Sequence, residues 1–289
     1  MEQKQGIRFL VLSDTHDNAF PDPATLPEAD AIIHCGDLTM IGGLSNYRRA
    51  LESLASCPAE IKLVVAGNHD VSLDARWWDE NLDSDDDQDE PAHVRALFTS
   101  EVYASRGVRY LDEGTHQITL RDGRTFKVYA SQYTPAFGGY AFGYNPENDR
   151  FNAKGSAVRI PDNENIDLVI THGPPRPSPS HLKAGQAYRL DLNWKQQRQQ
   201  HLGCPRLWRA IERVKPKLHC FGHIHDGHGA QIARFHNGSE PIIVDAEAVE
   251  KEGALHISGM KGTTLLVNAA IMRHGEEEHN KPWMVTVTL

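Results

Sequence analysis

Five short apolar segments of the chain end in residues of the types that bind metal ions. The segments are rich in Val, Ile, Leu and Phe and have the length of buried strands. They end in SDTHD, HCGD, GNHD, THGPP and GHIH, which begin at residues 13, 34, 67, 171 and 222. In open α/β sheets, the loops after neighbouring strand ends meet at one edge and bind ligands there. The pattern therefore predicts an α/β protein with one site assembled from five strand ends.

Further segments complete this α/β pattern. FKVYAS, TTLLVNAA and WMVTVTL are also strand-like, and apolar residues recur at helical spacing over Leu44–Cys57 and Cys204–Val214. Pro205 suits the first turn of the second helix, and Pro216 marks its end. The acidic run Asp79–Pro91 is interpreted as a solvated loop or a frayed helix end. Strands without polar alternation predict layered sheets that are buried on both faces.

Composition narrows the class of protein. The chain has 289 residues and a formal net charge of −9. This length suits one large domain over residues 1–289. The negative charge disfavours nucleic acid and anionic membranes as partners, so we expect a small-molecule substrate, and the oligomeric state stays open. No stretch approaches the ~20 apolar residues of a membrane span. The four widely spaced cysteines are interpreted as reduced thiols, and we expect a cytoplasmic protein without a signal peptide.

The strand ends supply seven candidate metal ligands: Asp14, His16, Asp37, Asn68, His172, His223 and His225. A single histidine in a loop is usually only hydrogen-bonded, but five ligand-bearing strand ends in one chain outweigh that interpretation. The donors are oxygen and imidazole without thiolate, which suits Mn, Fe, Zn or Co, with Mg also conceivable. Seven ligands are too many for one tetrahedral ion. Two ions that share a carboxylate would use all of them.

The order Asp-x-His, Gly-Asp, Gly-Asn-His-Asp, His-Gly and Gly-His-x-His resembles the calcineurin-like metallophosphoesterases. The fuller phrases VLSDTH, GDLT, AGNHD, THGPP and FGHIHDGHG look most similar to the metallophosphoesterase-domain-containing subgroup, which is related to class III cyclic nucleotide phosphodiesterases. The resemblance implies a four-layer αββα sandwich with a dinuclear metal site at the carboxyl ends of the strands.

The resemblance also implies a role for each candidate residue. The first metal would take Asp14, His16 and His225, the second would take Asn68, His172 and His223, and Asp37 would bridge the two. His69 would stabilise the transition state or protonate the leaving oxygen. Asp70 is expected to orient His69, with a structural turn cap as the alternative.

The implied function is a metal-dependent phosphoester hydrolase. Two metals about 3.5–4 Å apart would hold a hydroxide that attacks phosphorus in line. The subgroup resemblance favours a phosphodiesterase. The alternatives are a phosphomonoesterase, a metal-dependent hydrolase or lyase that acts on a non-phosphate substrate, and a non-catalytic scaffold. Residues 174–201 and 236–262 are expected to cap the site as insertions.

Several other residues have two interpretations. The aromatic segment Thr134–Asn145 would form a wall for the organic part of a substrate or would simply pack as a loop. His228 would extend the site or lie exposed in its loop. His34 is expected to be buried and hydrogen-bonded, and Trp77 and Trp78 to belong to the core.

Overall fold

The computed structural model describes residues 6–17, 20–84, 86–162, 164–182, 187–195, 198–235, 240–252, 254–260, 262–273, 275 and 278–288, without the side chains of 194, 195, 198 and 199. Within these residues, two seven-stranded sheets dominate the structure. The strands are β1 Ile7–Leu12, β2 Ala31–His34, β3 Ile61–Val64, β4 Val108–Tyr110, β5 Gly114–Thr119, β6 Thr125–Ser131, β7 Thr134–Pro135, β8 Gly143–Tyr144, β9 Leu168–Thr171, β10 Leu192–Lys195, β11 Arg198–His201, β12 Leu218–Phe221, β13 Gly229–Arg234, β14 Ile242–Asp245, β15 Val249–Lys251, β16 Ala254–Ser258, β17 Thr263–Asn268 and β18 Trp283–Val287.

Each large sheet has a parallel centre with antiparallel additions. In the first sheet the order is β15-β16-β18-β1-β2-β3-β4, and β1 to β4 run parallel. In the second sheet the order is β14-β13-β17-β12-β9-β6-β5, and β6, β9, β12 and β17 run parallel. The parallel strands of each sheet therefore end at a common edge, and both edges meet at the site.

Helices cover the outer faces of the two sheets. They are α1 Leu44–Ser56, α2 Ala75–Asn81, α3 Glu90–Phe98, α4 Glu101–Ala104 and α5 Pro205–Val214, with short 3-10 helices at Pro23–Thr25, Val71–Leu73, Pro179–His181 and His225–Gly227. In α5 the Cys204 side chain accepts a hydrogen bond from the Leu207 amide, and Pro205 occupies the first turn, as predicted. The helix ends at Lys215, which has a left-handed backbone.

Three hydrophobic clusters separate the layers. Between the sheets, Phe9 and Phe126 meet edge to face with their ring centroids 5.3 Å apart. On the outer side of the first sheet, α1 buries Tyr47 and Leu51, and on the outer side of the second, α5 buries Trp208. The order of layers is helix, sheet, sheet, helix. This confirms the predicted four-layer αββα sandwich.

The structure also shows what the sequence patterns missed. All eight predicted strands and both predicted helices are present, and the four cysteines are buried and unpaired. The segment 174–201, which the sequence predicts to be a long loop with a possible short helix, contains the 3-10 helix Pro179–His181 and, in addition, the hairpin β10–β11. Within 236–262, β14 extends one sheet, and β15 and β16 extend the other.

The predicted capping insertions and the single-domain boundaries stay predictions. Residues 183–186 and 196–197 of the first insertion, and 236–239, 253 and 261 of the second, lie outside the described residues. The acidic run lies mostly between α2 and α3, and its described residues 82–89 are largely exposed, as the loop interpretation required. In the described part of the chain, no helix has the length and apolarity needed to cross a bilayer.

Candidate metal centre

The structure brings all seven predicted ligands to the shared edge of the two sheets. The first sheet contributes the residues after β1, β2 and β3, and the second contributes those after β9 and β12. Asp14, His16, Asp37 and His223 have positive φ values of 55°, 41°, 55° and 68°. Non-glycine residues adopt this conformation at a cost, and such strain concentrates at functional sites. The sharp turns at these positions direct the side chains toward one another.

The first cluster contains Asp14, His16 and His225, whose candidate ligand atoms lie within 4.8 Å of one another. The Nε2 atoms of the two histidines are 3.2 Å apart. The carboxylate oxygen Oδ1 of Asp14 lies 3.3 Å from Nε2 of His225 and 3.9 Å from Nε2 of His16. These donor atoms converge from β1 and from the loop after β12.

The second cluster contains Asp37, His172 and His223, again within 4.8 Å. Nε2 of His172 lies 3.3 Å from Oδ2 of Asp37 and 2.9 Å from Oδ1 of Asn68. The ring of His223 packs edge to face on His172, with centroids 4.9 Å apart. Asn68 therefore joins this cluster as the sequence predicted.

A single carboxylate oxygen connects the two clusters. Oδ2 of Asp37 lies 3.6 Å from Nε2 of His16 in the first cluster and 3.3 Å from Nε2 of His172 in the second. The other oxygen, Oδ1, accepts a hydrogen bond from the His69 amide at 2.8 Å. That bond orients the carboxylate so that Oδ2 faces both clusters.

Backbone carbonyls determine which ring nitrogen of each histidine faces the site. Nδ1 of His16 donates to the carbonyl of Thr39 at 3.3 Å, and Nδ1 of His172 donates to the carbonyl of Cys35 at 2.9 Å. In the neutral imidazole this leaves Nε2 unprotonated, with its lone pair directed into the cluster. Histidines that bind metals are commonly oriented in this way.

Lone pairs therefore converge at both clusters. Nε2 of His172 faces two acceptor oxygens, those of Asp37 and Asn68, which repel one another unless a positive charge lies between them. Nδ2 of Asn68 is buried and has no hydrogen-bond acceptor among the described residues. These buried acceptors need a positive charge between them. Because the donors are oxygen and imidazole, the arrangement fits two metal ions.

The titration behaviour of the side chains gives the same indication. Burial alone would raise the pKa of Asp14 and Asp37, but the neighbouring histidines, foremost His225 for Asp14 and His172 for Asp37, hold both below the ordinary value. Burial opposes a charge on His172, yet Asp37 raises its pKa to about 9. A proton on His172 thus occupies the place of a cation when no metal is bound. Burial lowers the pKa of His223 to about 3, so this ring is neutral and free to act as a ligand.

Two glycines make room for the carboxylates. A Cβ atom at Gly222 would lie 2.0 Å from Oδ2 of Asp14, and one at Gly67 would lie 2.2 Å from Oδ1 of Asp37. These separations are far below van der Waals contact. The glycines in GHIH and GNHD therefore allow the backbone to approach the candidate ligands closely.

The structure corrects the prediction for Asp70. Its carboxylate accepts hydrogen bonds from the amides of Leu38, Gly67 and Thr39 and from the Thr39 hydroxyl, and it is fully buried. Burial and the charge of Asp37 raise its pKa to about 7. Asp70 is the structural turn cap of the alternative interpretation and does not orient His69.

The carbonyl of Met40 orients His69 instead. Nδ1 of His69 donates to this carbonyl at 2.7 Å. The imidazole lies edge to face against His16, with centroids 4.8 Å apart, and packs at a tilt against Tyr140, with centroids 4.6 Å apart. His69 thus reaches the site without being one of the cluster residues. The sequence signal for its partner is weak, because a backbone carbonyl can belong to any residue type.

Apolar side chains surround the mouth of the site. Phe137 is 50% exposed and its ring packs on His223 at 5.2 Å, while Tyr140 is 39% exposed. Phe142 and Tyr144 in the same segment are buried. The segment Thr134–Asn145 therefore satisfies both interpretations, because half of its aromatic residues pack inward and half border the site.

The remaining candidates have structural roles. His34 is buried, accepts a hydrogen bond from the Gly36 amide and bonds to the Thr15 hydroxyl through Nε2, as expected. His228 packs on Trp283 and bonds to the carbonyl of Lys281, so it is neither a cluster ligand nor a free loop histidine. Trp78 is buried in the core.

Comparison with known proteins supplies the class. The family described as calcineurin-like phosphoesterase matches residues 7–227, which include all seven ligands. The chain belongs to this family.

Individual relatives narrow the comparison. The chain is 31% identical over 233 residues to human metallophosphoesterase domain-containing protein 1. The matched region covers 77% of this chain and 61% of that protein. It is 33% identical over 228 residues to probable rhamnogalacturonate lyase C of Emericella nidulans, covering 78% of this chain and 18% of that protein. The chain thus spans about three fifths of the human relative and a small part of the fungal one. A solved crystal structure matches with a TM-score of 0.51 at 12% identity over 83% of this chain and 90% of that one, which shows the fold alone.

Proposed function

We propose that the protein is a dinuclear metal-dependent phosphodiesterase. The observation that carries the proposal is the position of Oδ2 of Asp37 between the two clusters. A carboxylate oxygen shared by two groups of nitrogen and oxygen donors suits a pair of ions that are bridged by Asp37. Mn, Fe and Zn are the proposed metals, because the donors include four imidazoles and lack thiolate.

The chain would hold the two ions with separate sets of residues. Asp14, His16 and His225 would bind the first, and Asn68, His172 and His223 would bind the second. Two metals in such a site supply Lewis acidity toward phosphoryl oxygens and a water of lowered pKa. The buried carboxylates of Asp14 and Asp37 would hold the ions, and Gly222 and Gly67 leave the room that these carboxylates occupy.

His69 is proposed to act on the phosphate or on the leaving oxygen. Because Nδ1 is held by the carbonyl of Met40, Nε2 is the ring nitrogen that remains to contact the substrate. In the protonated form, this Nε2–H would donate to a developing negative charge or to the leaving oxygen. The role needs no ligation by His69, in agreement with its place beside the clusters.

The aromatic mouth of the site supports a substrate with an organic group on the phosphate. Phe137 and Tyr140 lie 5.4 Å apart between centroids and contact His223 and His69, respectively. A flat or apolar group attached to the phosphate would pack there on the way to the metals. A diester has two such groups, one of which stays on the product.

The lyase alternative has one observation in its favour, the name of the Emericella nidulans relative. The match covers 18% of that protein, so its named activity does not transfer to the matched part. The convergence of ligands on a shared carboxylate speaks against the scaffold, and the match to the calcineurin-like phosphoesterase family over residues 7–227 favours the phosphoester hydrolase over the lyase.

The test is a comparison of two chromogenic substrates. The manganese-loaded protein is assayed on bis-p-nitrophenyl phosphate and p-nitrophenyl phosphate, and we expect the larger kcat/KM for the diester. Asp37→Asn should remove turnover together with metal, whereas His69→Ala should keep the metal and lose activity by roughly 10²–10⁴. A larger kcat/KM for the monoester would select the phosphomonoesterase. Turnover of neither ester by protein with two bound ions would refute the phosphoesterase.

A further inference from the structure

A second cleft lies on the outer face of the second sheet, between the segment after β9 and helix α5. Its volume is about 590 Å³, which is within the usual range for small-molecule sites. Pro177, Tyr188 and Trp208 are buried side chains of its apolar wall. None of the residues that line it is one of the seven candidate metal ligands.

One polar feature of the cleft is a histidine held by a buried carboxylate. Nδ1 of His201 lies 2.6 Å from Oδ1 of Asp191, which is fully buried. The other carboxylate oxygen accepts from the Gly203 amide at 3.1 Å. Because Asp191 engages Nδ1, Nε2 of His201 is the ring nitrogen left for a ligand. About half of the His201 side chain is exposed, so a ligand can reach it.

A second polar feature is His181, which is buried in the wall. Its Nδ1 accepts a hydrogen bond from Nε1 of Trp208 at 3.0 Å and lies 3.4 Å from Glu212. The hydroxyl of the neighbouring wall residue Tyr188 is buried and has no hydrogen-bond partner among the described residues. The cleft therefore offers hydrogen-bonding groups beside apolar surface.

The fixed charges of the cleft favour an anion. Arg176 and Arg209 are both exposed and line the cleft. Among the lining residues, only Glu212 has a carboxylate. Arg176 donates to the carbonyl of His201, which places its guanidinium beside that histidine.

We propose that this cleft binds an aromatic organic acid, with the ring against the exposed Pro179 and Pro205 and the carboxylate toward Arg176, Arg209 and His201. The proline surfaces suit a flat apolar body, and guanidinium groups bind carboxylates through charge-assisted hydrogen bonds. The site is independent of the metal centre and does not rest on the proposed phosphodiesterase activity.

The probe for this site is 2-naphthoate, with 2-naphthamide as its uncharged counterpart. Binding to the metal-loaded protein is measured by isothermal titration calorimetry. We expect saturable binding of the acid at one site. The affinity for the amide should be lower by roughly tenfold or more, which is the effect expected when one charge-assisted hydrogen bond is lost. Equal affinities for the two probes, or no saturable binding of the acid, would overturn the proposal.

Variants locate the binding site. Arg209→Ala places a good helix former at an exposed position of α5 and should weaken 2-naphthoate binding about tenfold without loss of fold. Arg121→Ala, at a side chain that is 84% exposed in another part of the molecule, is the matched control and should leave it unchanged. Binding must also persist in Asp37→Asn and after removal of metal with a chelator. Loss of binding in either of these would assign the acid to the metal centre and contradict the proposal.

Discussion

Replacement of Asp70 by Asn separates a structural role from a catalytic one. Oδ2 of Asp70 accepts from the amides of Leu38 and Gly67 at 3.2 and 2.8 Å, and Oδ1 accepts from the amide and the hydroxyl of Thr39 at 3.1 and 3.0 Å. An Asn side chain keeps one acceptor oxygen and places an NH2 group against the other two donors. Two buried hydrogen bonds are thus lost at nearly constant volume.

The expected loss of stability follows from these contacts. A hydrogen bond to a charged acceptor contributes about 1.5–3 kcal/mol, and a neutral one about 1 kcal/mol. With a pKa of about 7, the Asp70 carboxyl is partly protonated near neutral pH, and loss of its repulsion with Asp37 offsets part of the damage. We expect a loss of about 2–4 kcal/mol. For a chain of 289 residues, that lowers Tm by roughly 3–7 °C.

The assay combines thermal unfolding with kinetics at a temperature at which the variant is fully folded. Asp70→Asn should show the lowered Tm and retain most of its kcat. His69→Ala should show the reverse, an almost unchanged Tm and a large loss of kcat. Asp79→Asn, at an exposed position of α2, is the matched control and should change Tm little. If Asp70→Asn kept its Tm and lost kcat as His69→Ala does, the assignment as a turn cap would be wrong.

Three further predictions concern the metal centre and its mouth. Gly222→Ala places a Cβ atom 2.0 Å from the Asp14 carboxylate, and we expect elemental analysis to show one bound ion per chain instead of two; retention of both would contradict the close approach. In metal-free protein, the pKa of His172 is raised to about 9, so the native state binds more protons than the unfolded state between pH ~6.5 and ~9. The stability contributed by this residue is complete below pH ~6.5 and is lost as the pH rises through 9. Urea unfolding of metal-free and metal-loaded protein should show this decline only without metal, and a decline in neither would refute it. Phe137→Ala should raise KM for the aryl diester roughly 2- to 10-fold with kcat nearly unchanged; an equal fall in kcat would show that the ring acts in the chemical step.

Much of the metal centre could be predicted because its candidate ligands lie within a few residues of strand ends in the sequence. Each ligand pair, such as Asp14 and His16, directly follows a buried strand, and parallel strands bring their carboxyl ends to one edge. The types of side chain then indicate the chemistry. Strands that are apolar on both faces, flanked by amphipathic helices, predicted layered α/β sheets, whereas the four-layer αββα order was implied by the resemblance to the family.

Other features depended on contacts that sequence spacing does not encode. Asp70 is adjacent to His69 in the sequence. The chain turns at Gly67, however, so that the Asp70 carboxylate accepts hydrogen bonds from backbone amides and does not face His69. The partner of His69 is a backbone carbonyl, that of Met40, which carries no sequence signature. Adjacent residues in a tight turn commonly point to different neighbours.

The missed strands have a similar explanation. β13 and β16 lie toward the edges of the sheets, where polar residues such as Gln231 and His256 interrupt the apolar pattern. Edge strands are recognised by their pairing rather than by their composition. The hairpin β10–β11 is mostly polar and is equally hidden in the sequence.

The central claim is that one oxygen of Asp37 is shared by two metal ions. The most direct test is anomalous diffraction from crystals of the manganese-loaded protein, with data collected on both sides of the manganese edge. The account predicts two anomalous peaks about 3.5–4 Å apart, one among Asp14, His16 and His225 and one among Asn68, His172 and His223, with Asp37 between them. A single peak, or two peaks that do not both contact Asp37, would contradict it.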